Sequence, residues 1–210
     1  MAITSKPKIS REKASELILT QGFSGSYQAG QVTFLLNRIQ IQPTDTLEKE
    51  RLIQSGEKHY SQMISQEQAP TERHLQLFEQ AMQHGQQRLA KEVQQLAQTL
   101  SVEFAEPIVL VSFVRAGVPL GVLLYHALQD LGHDCVHYGI SIIRDRGIDF
   151  AALETIIAKH GHQSLVFVDG WTGKGAIQKE LQRSLANDPR FADRPLPLVV
   201  LSDIGGCAWL

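Results

Sequence analysis

The chain has 210 residues, 43% of them hydrophobic and 20% charged, and a formal net charge of -2 at pH 7. That is enough apolar material for a buried core, and the near-neutral balance excludes both disorder and a global field that would recruit nucleic acid. Two cysteines, Cys135 and Cys207, exclude a disulfide framework, and no apolar run reaches the length of a membrane span.

Residues 1–9 lack the apolar core of a signal peptide, so the expected compartment is the cytoplasm. Up to Glu106-Pro107, helical periodicity and Gln-rich faces dominate. Residues 1–106 therefore read as an N-terminal helical extension or hood, and 107–210 as an α/β core. The pattern predicts a short helix over 12–19, a small-residue loop over 24–30 and a helix over 31–41, where a strand fits almost as well. A further helix is predicted over 47–64, with Ser55-Gly56 as its bending point. From Thr71, apolar Leu75, Phe78, Met82, Leu89, Val93, Leu96 and Leu100 recur at the spacing of one buried helix face.

After Pro107, strands are predicted over 108–114, 136–143, 164–169 and 198–202. They alternate with helices over 118–131, 150–159 and 175–186. This alternation predicts an α/β fold with right-handed crossovers and a mostly parallel sheet. The sequence stops at Cys207-Ala-Trp-Leu210, directly after the last predicted strand. A sheet normally needs a further covering element there, so a core truncated at its C-terminus is expected.

Residues 165–177 carry the strongest chemical signal: four apolar residues, Asp169, a Thr/Gly-rich turn, then a helical pattern. That is a buried strand emerging at the carboxyl edge of a sheet, where open α/β folds bind ligands and helix N-termini favour anions. Asp169 is placed to accept hydrogen bonds from sugar hydroxyls or to hold a metal ion. Thr172 adds a hydroxyl, and Gly173 and Gly175 let the backbone close around a phosphate. The pattern suits a phosphorylated sugar. Lys174 would screen its charge, unless it is simply solvated, and Trp171 would stack on a ring or pack against a loop.

Arg115-Ala116-Gly117 follows another apolar strand onto the same edge, and Arg144-Asp145-Arg146 ends a third. Each also reads as a plain turn or local ion pair. Asp149 is expected to cap the next helix. Ser24 to Tyr27 reads either as a hood over the cleft or as a connecting loop. The spacing His133-x-Cys135-x-His137 suits metal ligands, but no partner motif completes a zinc set. Cys207, in the turn Asp203-Ile-Gly-Gly-Cys207, is the candidate nucleophile. None of the eight histidines sits in a motif that marks it as the base.

Residues 165–177 resemble the phosphoribosyl pyrophosphate signature of type I phosphoribosyltransferases, and residues 109–117 resemble that family's first strand and pyrophosphate loop. More narrowly, residues 23–27, 32–36, 141–149 and 168–177 resemble one bacterial subfamily. It is the predicted phosphoribosyltransferase encoded with tellurium-resistance and stress-response genes, also carried under the name StiP with a cysteine-protease label. The resemblance implies a type I phosphoribosyltransferase sheet, phosphoribosyl pyrophosphate or a nucleotide as partner, transfer or exchange of a nitrogenous base, and a homodimer. It implies Mg²⁺ at Asp169, with Asp169 and Arg115 catalytic. Arg115, Ala116, Gly117, Asp169, Gly170, Thr172, Gly173, Lys174 and Gly175 would bind phosphoribosyl pyrophosphate, supported by Arg144, Arg146, Trp171 and Asp203. Gly170 stands where the signature has a second acid. Two alternatives stand beside this reading: a cysteine protease using Cys207, and a non-catalytic nucleotide or sugar-phosphate sensor, which Gly170 encourages.

Overall fold

A computed structural model describes residues 22–192 and 195–210, so the helix read over 12–19 lies outside the described residues. The chain forms two compact units. One contains the chain up to Asn37 together with Lys91–Leu210, and the other contains Arg38–Ala90.

In the larger unit, five strands form a sheet in the order β1-β3-β2-β6-β8, with every neighbouring pair parallel. These are β1 (Thr33–Phe34), β2 (Ile108–Phe113), β3 (Cys135–Ile140), β6 (Leu165–Val168) and β8 (Leu198–Val199). The fold is thus α/β with a mostly parallel sheet. Every residue of β2 and β6 is buried, without alternation, as a sheet covered on both faces requires. Val109 pairs with Leu165 and Ser112 with Val168, so the ends of β2 and β6 emerge side by side. That register delivers the loops after both strands to one edge.

Residues 31–41 are not helical. Thr33 and Phe34 pair with Tyr138 and Gly139, and the Phe34 ring lies 5.4 Å from Phe23. Pairing with a distant strand outweighs the local pattern. The predicted strand over 136–143 divides: β3 ends at Ile140, and β4 (Ile142–Ile143) folds back on β5 (Gly147–Ile148) through Asp145, whose φ is 64°. The strand over 198–202 divides as well, because β9 (Ser202–Asp203) leaves the main sheet to pair with β7 (Trp171–Thr172). Beyond β9, Trp209 N–H donates to Leu198 O and Val200 N–H to Leu210 O, both at 2.9 Å. The final residues therefore lie along the outer edge of β8.

Helices α3 (Gly117–Asp130), α4 (Phe150–His160) and α5 (Ala176–Leu185) connect the strands. Asp149 caps α4 as expected, its carboxylate accepting the Ala152 N–H at 3.1 Å. Beneath α3 runs a buried polar relay. The Ser112 hydroxyl lies 2.8 Å from His137 Nε2 and 3.1 Å from Gly117 O, and His137 Nδ1 lies 2.8 Å from Gln31 O. A carbonyl only accepts, so Nδ1 carries the proton of the neutral ring and Nε2 faces Ser112 as an acceptor.

In the smaller unit, Asp45 caps α1 (Thr46–Gln54). The helix predicted to 64 stops because Ser55 is the cap and Gly56 turns left-handed at φ 73°. Helix α2 (Glu72–Glu103), which carries the apolar stripe that began at Leu75, belongs to this unit up to Ala90 and to the larger unit from Lys91. Its later part buries Val93, Ala97 and Leu100, but Leu75, Phe78 and Met82 are 47%, 58% and 47% exposed, so the stripe is not one buried face.

Candidate active site

The edge formed by the ends of β2 and β6 borders a cleft of about 390 Å³. Val114, Arg115 and Ala116 line it from the loop after β2, Ile142 and Arg144 from the β4 turn, and Asp169 from the end of β6. The loop from Trp171 to Gly175 and the first residues of α5 complete the wall. Arg146, Gly117, Gly170, Asp203 and Cys207 are not among the lining residues. Ser24–Tyr27 is not among the lining residues; Tyr27 packs against Phe34, with ring centres 6.5 Å apart.

Gly117 and Gly170 instead let backbones meet. A Cβ at Gly170 would lie 2.9 Å from Ala116 O and 3.2 Å from Ala116 Cβ. The position of the signature's second acid therefore has no room for a side chain. Asp169 is buried, and its carboxylate accepts the Gly170 N–H at 2.8 Å. Burial raises its pKa above the usual carboxylate value, and the Gly170 N–H offsets part of that rise. Among the described residues Asp169 is the one carboxylate lining the cleft, and no three His, Cys, Asp or Glu side chains gather so as to hold a metal ion. Mg²⁺ is usually held by one or two carboxylates together with a ligand's phosphates, so Asp169 would hold it only as a partner to such a ligand.

A second cluster lies behind the Thr172–Gly175 turn. The Thr172 hydroxyl donates to Asp203 Oδ1 and accepts the Gly205 N–H at 2.9 Å. The Cys207 and Ala208 N–H groups donate to the same carboxylate at 3.1 and 3.2 Å. The Thr172 hydroxyl first, and then the Cys207 N–H, hold the Asp203 carboxyl below the usual range. Asp203 is thus the organiser of the Cys207 turn. Thr172→Val is expected to raise the Asp203 titration towards its ordinary value and to speed amide exchange at Cys207 and Ala208. Carboxylate NMR titration and hydrogen exchange would read both effects.

Cys207 is partly exposed. Its Sγ lies 3.2 Å from where a Cβ on Gly175 would stand and 3.3 Å from the corresponding point at Gly205. Two glycines therefore leave the space around the thiol open, and Gly175 is also a wall of the cleft. Gly175 precedes α5 in the left-handed region, at φ 71°. The first N–H groups of a helix lack intrahelical partners and favour negative charge beside them. Cys135 differs in every respect. It is buried, its thiol donates to Tyr125 O at 3.6 Å, and burial pushes its pKa up to about 11. A thiol so placed is inert.

None of the described histidines lines the cleft. His133 pairs with Glu106 at 2.7 Å, His160 with Tyr138 at 2.9 Å, and His162 meets Phe191 edge-on. His133, Cys135 and His137 thus have separate partners rather than a shared ligand. The residue that sequence reasoning missed is Gln178, which is 7% exposed and lines the cleft. Its signal was present: Gln178 falls in phase with buried Leu181 and Leu185, so a polar side chain occupies the inner face of α5.

Residues 25–210 match the family described as "Tellurite-like stress resistance cysteine protease StiP". The chain is 84% identical over 202 residues to a protein of Acinetobacter baylyi named "Cysteine protease StiP", covering 96% of this chain and 53% of that protein. It therefore spans about half the length of this relative. No solved structure matches it. No phosphoribosyltransferase family matches, which overturns the resemblance to that family and, with it, the pentosyltransferase activity and the phosphoribosyl pyrophosphate or nucleotide partner. The physical reason is that a strand, glycine turn and helix N-terminus make an anion-friendly edge in many chemistries, while the paired acids that would have singled out ribose are missing. Among the described residues no helix is long and apolar enough to cross a membrane. The chain belongs to the StiP family of tellurite-like stress-resistance cysteine proteases.

Proposed function

We propose that this chain carries the nucleophile of a cysteine protease and that the nucleophile is Cys207. The observation that carries the reading is the contrast between the two thiols: Cys135 is buried and inert, whereas Cys207 is partly exposed in a glycine-cleared turn beside the cleft. In the proposed reaction Cys207 Sγ attacks a peptide carbonyl, forming an S–C bond as the C–N bond breaks. The thiol proton leaves with the amine, and water then releases the acid and restores the thiol. Asp203 positions the nucleophile by fixing the backbone N–H groups of Cys207 and Ala208. No step is routed through a metal.

The test compares Cys207→Ala and Cys135→Ala in the full-length protein. Iodoacetamide is expected to label Cys207 and spare Cys135 in the folded state. Cys207→Ala is expected to lower proteolysis on the order of 10³-fold or more, and Cys135→Ala to leave it near wild type. Undiminished proteolysis in Cys207→Ala would overturn the assignment.

A further inference from the structure

Resting on the protease reading, we propose that the cleft beside Cys207 binds acidic peptide segments. A peptide N–H would donate to Gln178 Oε1, and a side-chain carboxylate would lie between Arg144 and Lys174. The first observation is Gln178 itself. It is 7% exposed and lines the cleft, yet its Oε1 has no hydrogen-bond partner. A buried acceptor left unpaired is costly, so a small turn of the side chain that brings Oε1 to a donor on a ligand recovers that cost. An amide oxygen asks for an N–H or O–H group, and a peptide backbone supplies one at every residue except proline.

The second observation is charge. Among the described residues Arg115, Arg144 and Lys174 line the cleft against one carboxylate, Asp169. Arg144 and Lys174 come from two separate loops and are exposed, so their side chains reach a bound anion without leaving a buried position. The start of α5, ten residues long and without a side-chain cap at Gly175, adds to the preference for negative charge. Trp171, 60% exposed at the same wall, offers an aromatic surface to the rest of the segment. An isolated carboxylate would satisfy the cations and leave Gln178 unpaired. An acidic peptide satisfies both. Gly175 borders both the cleft and the thiol, so a segment held in the cleft presents its neighbouring bonds to Cys207.

The test uses the full-length protein carrying Cys207→Ala, so that binding is read without turnover. A fluorescein-labelled peptide with a central Glu-Glu pair and its Gln-Gln counterpart are titrated by anisotropy. The Glu peptide is expected to bind about tenfold more tightly. Arg144→Ala and Lys174→Ala should each reduce that preference. Gln178→Leu should weaken both peptides alike while leaving the melting temperature equal or higher, because it removes the unpaired buried acceptor. A merely structural role for Gln178 would instead lower the melting temperature. Equal affinity for the two peptides, or binding unchanged by all three substitutions, overturns the proposal. The two readings fail separately. Acidic-peptide binding without cleavage by the wild type sinks the protease reading, whereas cleavage indifferent to acidic residues sinks the cleft assignment.

Discussion

Gly117→Ala is expected to cost about 3 kcal/mol of stability and to disorganise the cleft at the same time. Gly117 opens α3, and a Cβ there would fall well inside contact distance of Val168 O, 2.9 Å from Val168 C and 3.1 Å from Asp169 Cα. The obstacles are backbone atoms, so no rotamer change relieves them. Val168 is held by pairing with Ser112 on one side and Val199 on the other. If the strand stays, α3 must retreat, yet it buries Val118, Leu120, Leu124 and Leu128. If the strand end yields, Asp169 moves with it. Urea denaturation of the variant should show the lost stability, and acidic-peptide binding should weaken beyond what the change in folded fraction explains. Gly85→Ala is the control. It lies within α2 with nothing inside 4 Å of the added atom, and it should be neutral or gain up to about 1 kcal/mol of helix stability. An unchanged midpoint for Gly117→Ala would show that the contact is not the constraint proposed.

The same contact explains how far the sequence could be read. β2 and β6 were legible because unbroken apolar runs admit few structures besides a doubly covered strand, and the residues after each run had to emerge at an edge. The placement of Arg115, Asp169, Thr172, Gly173, Lys174 and Gly175 on one cleft follows from that alone. β1 was not legible, since two residues declare themselves a strand only through their pairing with Tyr138 and Gly139. Asp203 was readable as a polar group near the edge. Its work on the Cys207 turn depends on β7 pairing with β9, which no local pattern encodes. The chemistry was the least legible layer. Residues 165–177 specify a strand, a turn and a helix start, and that geometry serves anions of many kinds. The residue that argued against ribose, Gly170, was visible as a departure, but its cause, the approach of Ala116, is a contact between loops.

Stability is expected to fall by about 3 kcal/mol as pH drops from 6.5 to about 4, through His137 alone. Burial pushes the His137 pKa down to about 4, against 6.5 for an unhindered ring, and its hydrogen bond to Gln31 O offsets only part of that shift. Between those two values the unfolded chain binds a proton that the folded chain refuses. The contribution is therefore complete above pH 6.5, falls by about 1.4 kcal/mol per pH unit below it, and is gone near pH 4. Other groups act in identifiable directions. His160, its pKa also lowered by burial, adds to the loss in the same range. Glu106, Glu154 and Asp188, held low by His133 or Arg190, weaken the fold only at still lower pH, and Asp169, held high by burial, opposes them. In the interval from pH 6.5 to 5 histidine protonation lowers stability while Asp169 opposes it, so the His137 part is read as the difference between the wild type and a His137 variant. His137→Gln keeps an amide donor for Gln31 and should flatten the dependence of the urea midpoint on pH there, leaving the smaller His160 slope. The ring can be followed directly, because an imidazole locked by Ser112 and Gln31 should hold its Nδ1–H tautomer throughout this interval in ¹⁵N spectra. Titration of His137 near 6.5 would mean that the relay beneath α3 opens to water, and the acid sensitivity would then have to come from elsewhere.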